Sequence, residues 1–154
     1  DEKKQQSPPN ILAVFDFDWS LINENSDTFL PNELARGEID LRSAEMREKF
    51  PVWTDAMDEV MRRLHAKKLR EAQFSECFAR VPMFDGMKRA LQLLADANAH
   101  LVIVSDANAF FIDTILRSYK LRHLFADGDI HTNPVRGQSR CNWIQPLPFK
   151  VAVR

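Results

Sequence analysis

Asp16 and Asp18 stand two residues apart, directly after the apolar run Ile11-Leu12-Ala13-Val14-Phe15. Side chains at i and i+2 of an extended chain share one face, about 6–7 Å apart. Two carboxylates so placed repel each other and need a shared proton or a cation between them. An Asp-x-Asp pair also has a plainer reading, in which one acid caps a turn and the other is solvated. A second apolar run, Leu101-Val102-Ile103-Val104, ends in Ser105 and Asp106. If the two runs are neighbouring parallel strands, these groups arrive beside Asp16. Ser105 then offers a hydroxyl donor, and the N–H groups opening the next helix offer a phosphate cradle. Asp106 or Asn108 alternatively serves as the N-cap of that helix. Acids at one strand end, facing a hydroxyl and a helix N-terminus at the other, make a site for a cation and a phosphoryl group.

The elements that must position these residues are legible from hydrophobic periodicity. Residues 11–15 read as a strand buried on both faces, as in a parallel sheet. Residues 17–40 are mixed and turn-rich, with Asn23, Asn25, Pro31, Asn32 and Gly37. From about residue 41 to 80 the spacing is helical: Trp53, Met57, Val60, Met61 and Leu64 recur at steps of three and four, as do Phe74, Cys77, Phe78 and Val81. Asp85-Gly86 opens a helix with Met87, Ala90, Leu91 and Leu94 on its apolar face. The strand at Leu101–Val104 follows. Asn108 then starts a helix carrying Phe111, Ile112, Ile115, Leu116 and Tyr119, and a weaker extended segment runs from Asp129 to Thr132.

Strands alternating with helices predict an α/β class, a Rossmann-like parallel sheet with an inserted helical cap. The expected division is a polar arm (1–10), a core (11–26 and 82–134), a helical cap insert (27–81) and an irregular basic tail (135–154). The C-terminal part of the sheet is incomplete, because nothing in the tail completes another strand-helix unit. The chain has 154 residues, 45% hydrophobic and 28% charged, with a net charge of -1. That balance excludes disordered, collagen-like and strongly basic nucleic-acid-binding classes. A chain of this size buries on the order of 70% of its unfolded surface, enough for a core without staples. No apolar run approaches the ~20 residues that cross a bilayer, so no membrane partner is expected. Cys77 and Cys141 are too few for a disulfide framework, and a reduced, cytoplasmic compartment is the expectation.

Asp16-Phe17-Asp18-Trp19-Ser20 resembles the first motif of the haloacid dehalogenase superfamily of phosphohydrolases, and Val104-Ser105-Asp106 resembles its second motif. The longer strings FDFDWSLINENSD (Phe15 to Asp27) and IVSDAN (Ile103 to Asn108) are similar to the phosphoethanolamine/phosphocholine and pyridoxal-phosphate phosphatase family. Asp85-Gly86-Met87 and Thr132-Asn133-Pro134 fit the same pattern. The resemblance implies that Asp16 attacks phosphorus to form a phosphoaspartyl intermediate. It makes Asp18 the proton donor and later the base towards water. It also implies Mg2+ held by the Asp16 carboxylate and the Asp18 backbone carbonyl. Ser105 would bind the phosphoryl oxygens, and Asp27 and Asp106 would bind the substrate, suiting a cationic or amine-bearing leaving group. The expected partner is a small phosphorylated metabolite, and the helical insert would close over it.

The chain departs from that pattern in two places. Trp19 stands where the family usually has a small or acidic residue, and its ring is expected to pack on the flap. No Asp or Glu follows Asp129, so no residue matches the acidic metal ligand of the fourth motif, and Lys150 lacks the context of the third-motif lysine. The expectation is therefore the front portion of a phosphatase, truncated or diverged after about Pro134. Its alternative is a remnant that binds phosphate or a partner without turnover. A receiver domain shares the acidic strand end but carries no forty-residue helical insert. His65, His100 and His131 read as ordinary side chains, and Met57, Met61, Met87 and Cys77 as core.

Overall fold

The computed structural model describes residues 11–35 and 37–133. The expected arm (1–10), the tail (135–154), Pro134, Cys141 and Lys150 lie outside the described residues. Three parallel strands form one sheet in the order β1-β2-β3: Leu12–Phe15, His100–Asn108 and Ile130–Asn133. The helices α1 (Ser26–Ala35), α2 (Ala44–Lys49), α3 (Trp53–Ala66), α4 (Glu71–Phe78) and α5 (Asp85–Asp96) fall between β1 and β2. Helix α6 (Ala109–Ser118) joins β2 to β3. This is the expected α/β architecture with a parallel sheet.

Register decides where the site falls. Phe15 pairs with Ile103, so Asp16 and Ser105 leave the same end of neighbouring strands. Beyond Val104 the ladder with β3 is irregular and resumes at Asn108 opposite Asn133. Strand β2 thus runs past Ser105-Asp106, where the sequence pattern placed its stop. Thr132 Oγ1 donates to the Ala107 carbonyl and ties the irregular stretch to β3.

The core gathers Leu101 and Ile103 with Phe111, Ile112, Ile115 and Leu116 of α6, Leu91 of α5, and Phe74, Cys77 and Phe78 of α4. Cys77 is buried, which pushes its thiol up to about 11 and leaves it protonated at neutral pH. The Phe78 ring meets Phe110 and Phe111, with centroids 6.4 and 4.7 Å away. Buried Asp113 is held by Arg117 and Arg122 at 2.5 and 2.9 Å, away from the strand ends that carry the acids.

Two expectations need correction. The first concerns β1, which was read as buried on both faces: Leu12 is 65% and Val14 55% exposed, and Val104 on β2 is 52% exposed. The strands add in chain order, and β-α-β crossovers are right-handed, so α5 and α6 lie on one side of the sheet. Leu101, Ile103 and Ile130 face that side and are buried, while Leu12, Val14 and Val104 face the other. The second concerns residues 17–40, where the turn-rich reading misses α1. Asn25 starts that helix by accepting from Thr28 N–H at 2.9 Å, and Pro31 sits inside it. Proline disfavours a helix interior by about 3 kcal/mol, and here burial of Leu30 and Ala35 outweighs it.

The two sides of β2 predict opposite sensitivities. Ile103→Ala should destabilise the fold by about 2–4 kcal/mol, whereas Val104→Ala should stay within ~0.5 kcal/mol. Urea titrations of both variants check this, and equal losses would contradict the one-sided burial.

Candidate active site

The chain leaves β1 through a tight turn at Phe17–Leu21. Phe17, Leu21 and Ile22 are buried and pin it to the core. Ile22 N–H donates to the Phe17 carbonyl at 3.1 Å, and Asn23 N–H reaches the Pro82 carbonyl at 2.8 Å. The consequence is a split between the two acids of the motif. Asp16 is exposed, with Oδ1 accepting from Phe17 N–H at 2.6 Å. Asp18 is half-buried, and its Oδ1 lies inside with no hydrogen-bond partner.

Burial pushes the Asp18 carboxyl up to about 6, aided by the negative charges of Asp27 and Asp106. The N–H and hydroxyl of Ser26 act in the opposite direction and are outweighed. Asp27, on the first turn of α1, is buried and also held above the ordinary range, chiefly by burial. Trp53 opposes that shift: its Nε1–H donates to Asp27 Oδ2 at 2.7 Å. Asp106 is exposed and acts electrostatically on both Asp18 and Asp27. Asp18, Asp27 and Asp106 therefore form one interacting group, and Asp16 precedes Asp18 by two residues at the end of β1.

At the end of β2, Ser105 Oγ accepts from Ala107 N–H at 3.2 Å, which leaves its O–H free to donate elsewhere. Asn108 caps α6 by accepting from Phe110 N–H at 2.8 Å. The cap role weighed for Asp106 or Asn108 thus falls to Asn108. The structure brings Asp16, Asp18, Asp27, Ser105 and Asp106 to one end of the sheet.

These residues suit a hard cation in their chemistry. They are oxygen donors, and the partnerless Asp18 Oδ1 is the kind of buried atom that a charged neighbour would satisfy. They supply only part of a shell, since no group of three or more His, Cys, Asp or Glu side chains able to hold a metal occurs among the described residues. Magnesium takes about six oxygens and commonly keeps waters and substrate phosphate among them.

Sequence reasoning missed two contributors and misplaced a third. Ser26 is fully buried beside Asp18 and favours its charged form; its position just before Asp27 was the available signal. Trp53, read as a core position of α3, is 43% exposed and turns its indole N–H to Asp27. Helical spacing cannot separate an apolar position from one whose polar edge is in use. Trp19, expected to pack on the flap, is 64% exposed with φ 59°. That conformation costs an L-residue of order 1–3 kcal/mol.

The fold is that of haloacid dehalogenase family hydrolases. A crystal structure of such a hydrolase from Salmonella enterica superimposes with a TM-score of 0.55 at 18% identity, covering 85% of this chain and 43% of that one. More narrowly, the profile of the Putative Phosphatase family matches residues 11–147, and the chain belongs to that family. A thiamine phosphate phosphatase-like protein of Arabidopsis thaliana is 32% identical over 139 residues, 90% of this chain and 54% of the relative. The human pyridoxal phosphate phosphatase PHOSPHO2 is 32% identical over 130 residues, 80% of this chain and 51% of the relative. The chain spans about half the length of these curated relatives. No helix among the described residues is long and apolar enough to cross a membrane.

The Asp18 shift carries a stability signature. Its folded value near 6 lies above the unfolded 3.8, so the folded state binds its proton more tightly. Stability from this group is fully present below 3.8 and is lost as pH rises through 6. Asp18→Asn should therefore stabilise the fold near pH ~8 in chelator-treated buffer by about 1–2 kcal/mol after allowing for solvent screening, read as a higher melting temperature. Near pH ~4 the gain should vanish. A difference independent of pH, read by thermal denaturation, would contradict the shift.

Proposed function

We propose that this site hydrolyses a small phosphomonoester of the phosphoethanolamine, phosphocholine or pyridoxal phosphate class, through a phosphoaspartyl intermediate. One observation carries the reading: an exposed Asp16, a half-buried Asp18 and the free hydroxyl of Ser105 lie at the ends of neighbouring strands.

The exposed carboxylate of Asp16 attacks phosphorus, forming an O–P bond as the ester P–O bond breaks. Asp18, held protonated by burial to a higher pH than an ordinary carboxyl, gives its proton to the departing oxygen. Water then attacks the phosphoaspartate and yields a proton to Asp18. The Asp16–P bond breaks and inorganic phosphate leaves. Ser105 donates its O–H to a phosphoryl oxygen throughout, and the N-terminus of α6 favours the same negative charge. Magnesium, when bound at the Asp16 carboxylate and the Asp18 backbone carbonyl, supplies charge neutralisation at phosphorus. Asp27 and Asp106 make the surroundings acidic, which favours a cationic or amine-bearing leaving group.

A second reading, phosphate binding without turnover, is favoured by the partial oxygen shell, since no group of three or more His, Cys, Asp or Glu able to hold a metal occurs among the described residues. Hydrolysis of p-nitrophenyl phosphate and phosphoethanolamine, with and without magnesium, separates the two. The enzyme reading expects slow, magnesium-dependent turnover that Asp16→Asn lowers beyond detection. Ser105→Ala should lower kcat about 100-fold. Turnover that survives Asp16→Asn would sink the assigned nucleophile. Phosphate binding that is weakened by Ser105→Ala, with no turnover in the parent chain, would establish the second reading.

A further inference from the structure

Two aspartates among the described residues are buried, and their charges are met in different ways. Asp113, 9% exposed, is paired with Arg117 Nε at 2.5 Å and Arg122 Nε at 2.9 Å. Asp27, 6% exposed, has no ion pair among the described residues. Its side-chain partner is neutral: the indole N–H of Trp53, from the first turn of α3, donates to Oδ2 at 2.7 Å. The charges that act on Asp27 and its neighbour Asp18 are those of other acids. Buried carboxylates are ordinarily matched by a cation as well as hydrogen-bonded. Asp113 follows that pattern, and Asp27 departs from it.

The choice of donor has a chemical consequence. An indole N–H donates, cannot accept and carries no charge. It fixes one oxygen of a carboxylate without cancelling the negative charge, which a lysine or arginine in its place would do. Oδ1 of Asp27 takes no hydrogen bond among the described residues and is not one of the enclosed oxygens. One oxygen is therefore held and the other is open. Packing alone does not set the donor, since Trp53 is 43% exposed while Ala56 and Val60 anchor α3. We infer that Trp53 is a positioning residue for the leaving group: by holding Oδ2 it orients Asp27 so that Oδ1 receives the ammonium group of an amine-bearing phosphate ester. The inference rests on the phosphatase reading and adds the residue on which the preference for an amine depends. Trp53 acts through Asp27 and touches neither phosphorus nor the amine. Because the donor stands on α3 and the acceptor on α1, the discrimination also depends on how α3 packs on α1.

Calorimetric titration of the full chain, in magnesium buffer, uses inorganic phosphate and two phosphonates that cannot be hydrolysed, methyl- and 2-aminoethylphosphonate. A hydrogen bond to a charged group sets the scale, so the parent chain should bind the aminoethyl probe at least ~10-fold more tightly than the methyl probe. Trp53→Phe keeps a ring and removes the N–H; it should lower that ratio about 3- to 10-fold. Asp27→Asn should abolish the ratio, and adding Trp53→Phe to Asp27→Asn should change it no further, the mark of one residue acting through the other. In the parent chain the aminoethyl probe should shift the Trp53 indole N–H resonance more than the methyl probe does, a reading that needs no variant. A ratio unmoved by Trp53→Phe, or an indole resonance that the aminoethyl probe leaves unshifted, overturns the inference. A parallel loss of affinity for all three probes in Trp53→Phe, the signature of a merely structural role, also overturns it. So does a Trp53→Phe effect that persists in the Asp27→Asn background. If Asp27 serves magnesium instead, Asp27→Asn weakens inorganic phosphate as much as the aminoethyl probe, which overturns the inference as well. Failure of the underlying reading looks different: inorganic phosphate binding indifferent to Ser105→Ala. Absence of binding by every probe overturns both.

Discussion

Carboxylates that converge where β1, α1 and β2 meet must each be accommodated against their mutual repulsion, and the means differ for every one. Asp16 faces solvent and takes the Phe17 N–H. Asp18 gives way to burial and holds a proton up to about pH 6. Asp27 stays buried because an indole N–H is aimed at it, while Asp106 remains outside and adds field. Identical side chains thereby acquire different proton affinities within one cluster. That difference separates a nucleophile from an acid when two carboxyls share a site. The chemistry proposed for this end of the sheet depends on this asymmetry more than on any single contact.

Keeping these charges together requires a scaffold that does not relax. Phe17, Leu21 and Ile22 are essentially inaccessible, so the turn after β1 cannot swing outward without exposing a large apolar area. The Asn23–Pro82 bond ties the far side of the turn to the segment before α5. Tyr119 at the end of α6 donates to the Val81 carbonyl next to it, so the same segment is held from two directions. Strain at Trp19 is tolerated within this frame because the residues flanking it are the ones the core anchors.

The architecture and the strand-end placement were legible in the sequence because they follow from periodicity. Ile11 to Phe15 and Leu101 to Val104 are apolar runs that stop at polar groups, and a parallel pairing of the two puts Asp16 beside Ser105. Helix α1 was not legible, since Pro31 and the surrounding Asn residues read locally as turn; only burial against the rest of the fold makes it a helix. Ser26 and Trp53 escaped for a related reason. Their roles are defined by Asp18 and Asp27, and a partner on another element leaves no trace in local spacing. The one-sided burial of β1 was hidden because apolar content does not say which face is covered.

That one-sidedness and the position of the site share an origin. Strands that add in chain order carry their crossover helices to the same side, so Leu12, Val14 and Val104 stay open while Leu101 and Ile103 are covered. The same order places β1 directly against β2, which is the pairing that brings Asp16 and Asp18 to Ser105. The acids leave the sheet at its carboxyl end, past the last paired residues, and their burial comes from α1 and the turn rather than from the open face. Whatever meets Leu12 and Val14 therefore acts on the stability of the sheet. The proton affinities of Asp18 and Asp27 are raised first by burial and then adjusted by Ser26, Trp53 and Asp106.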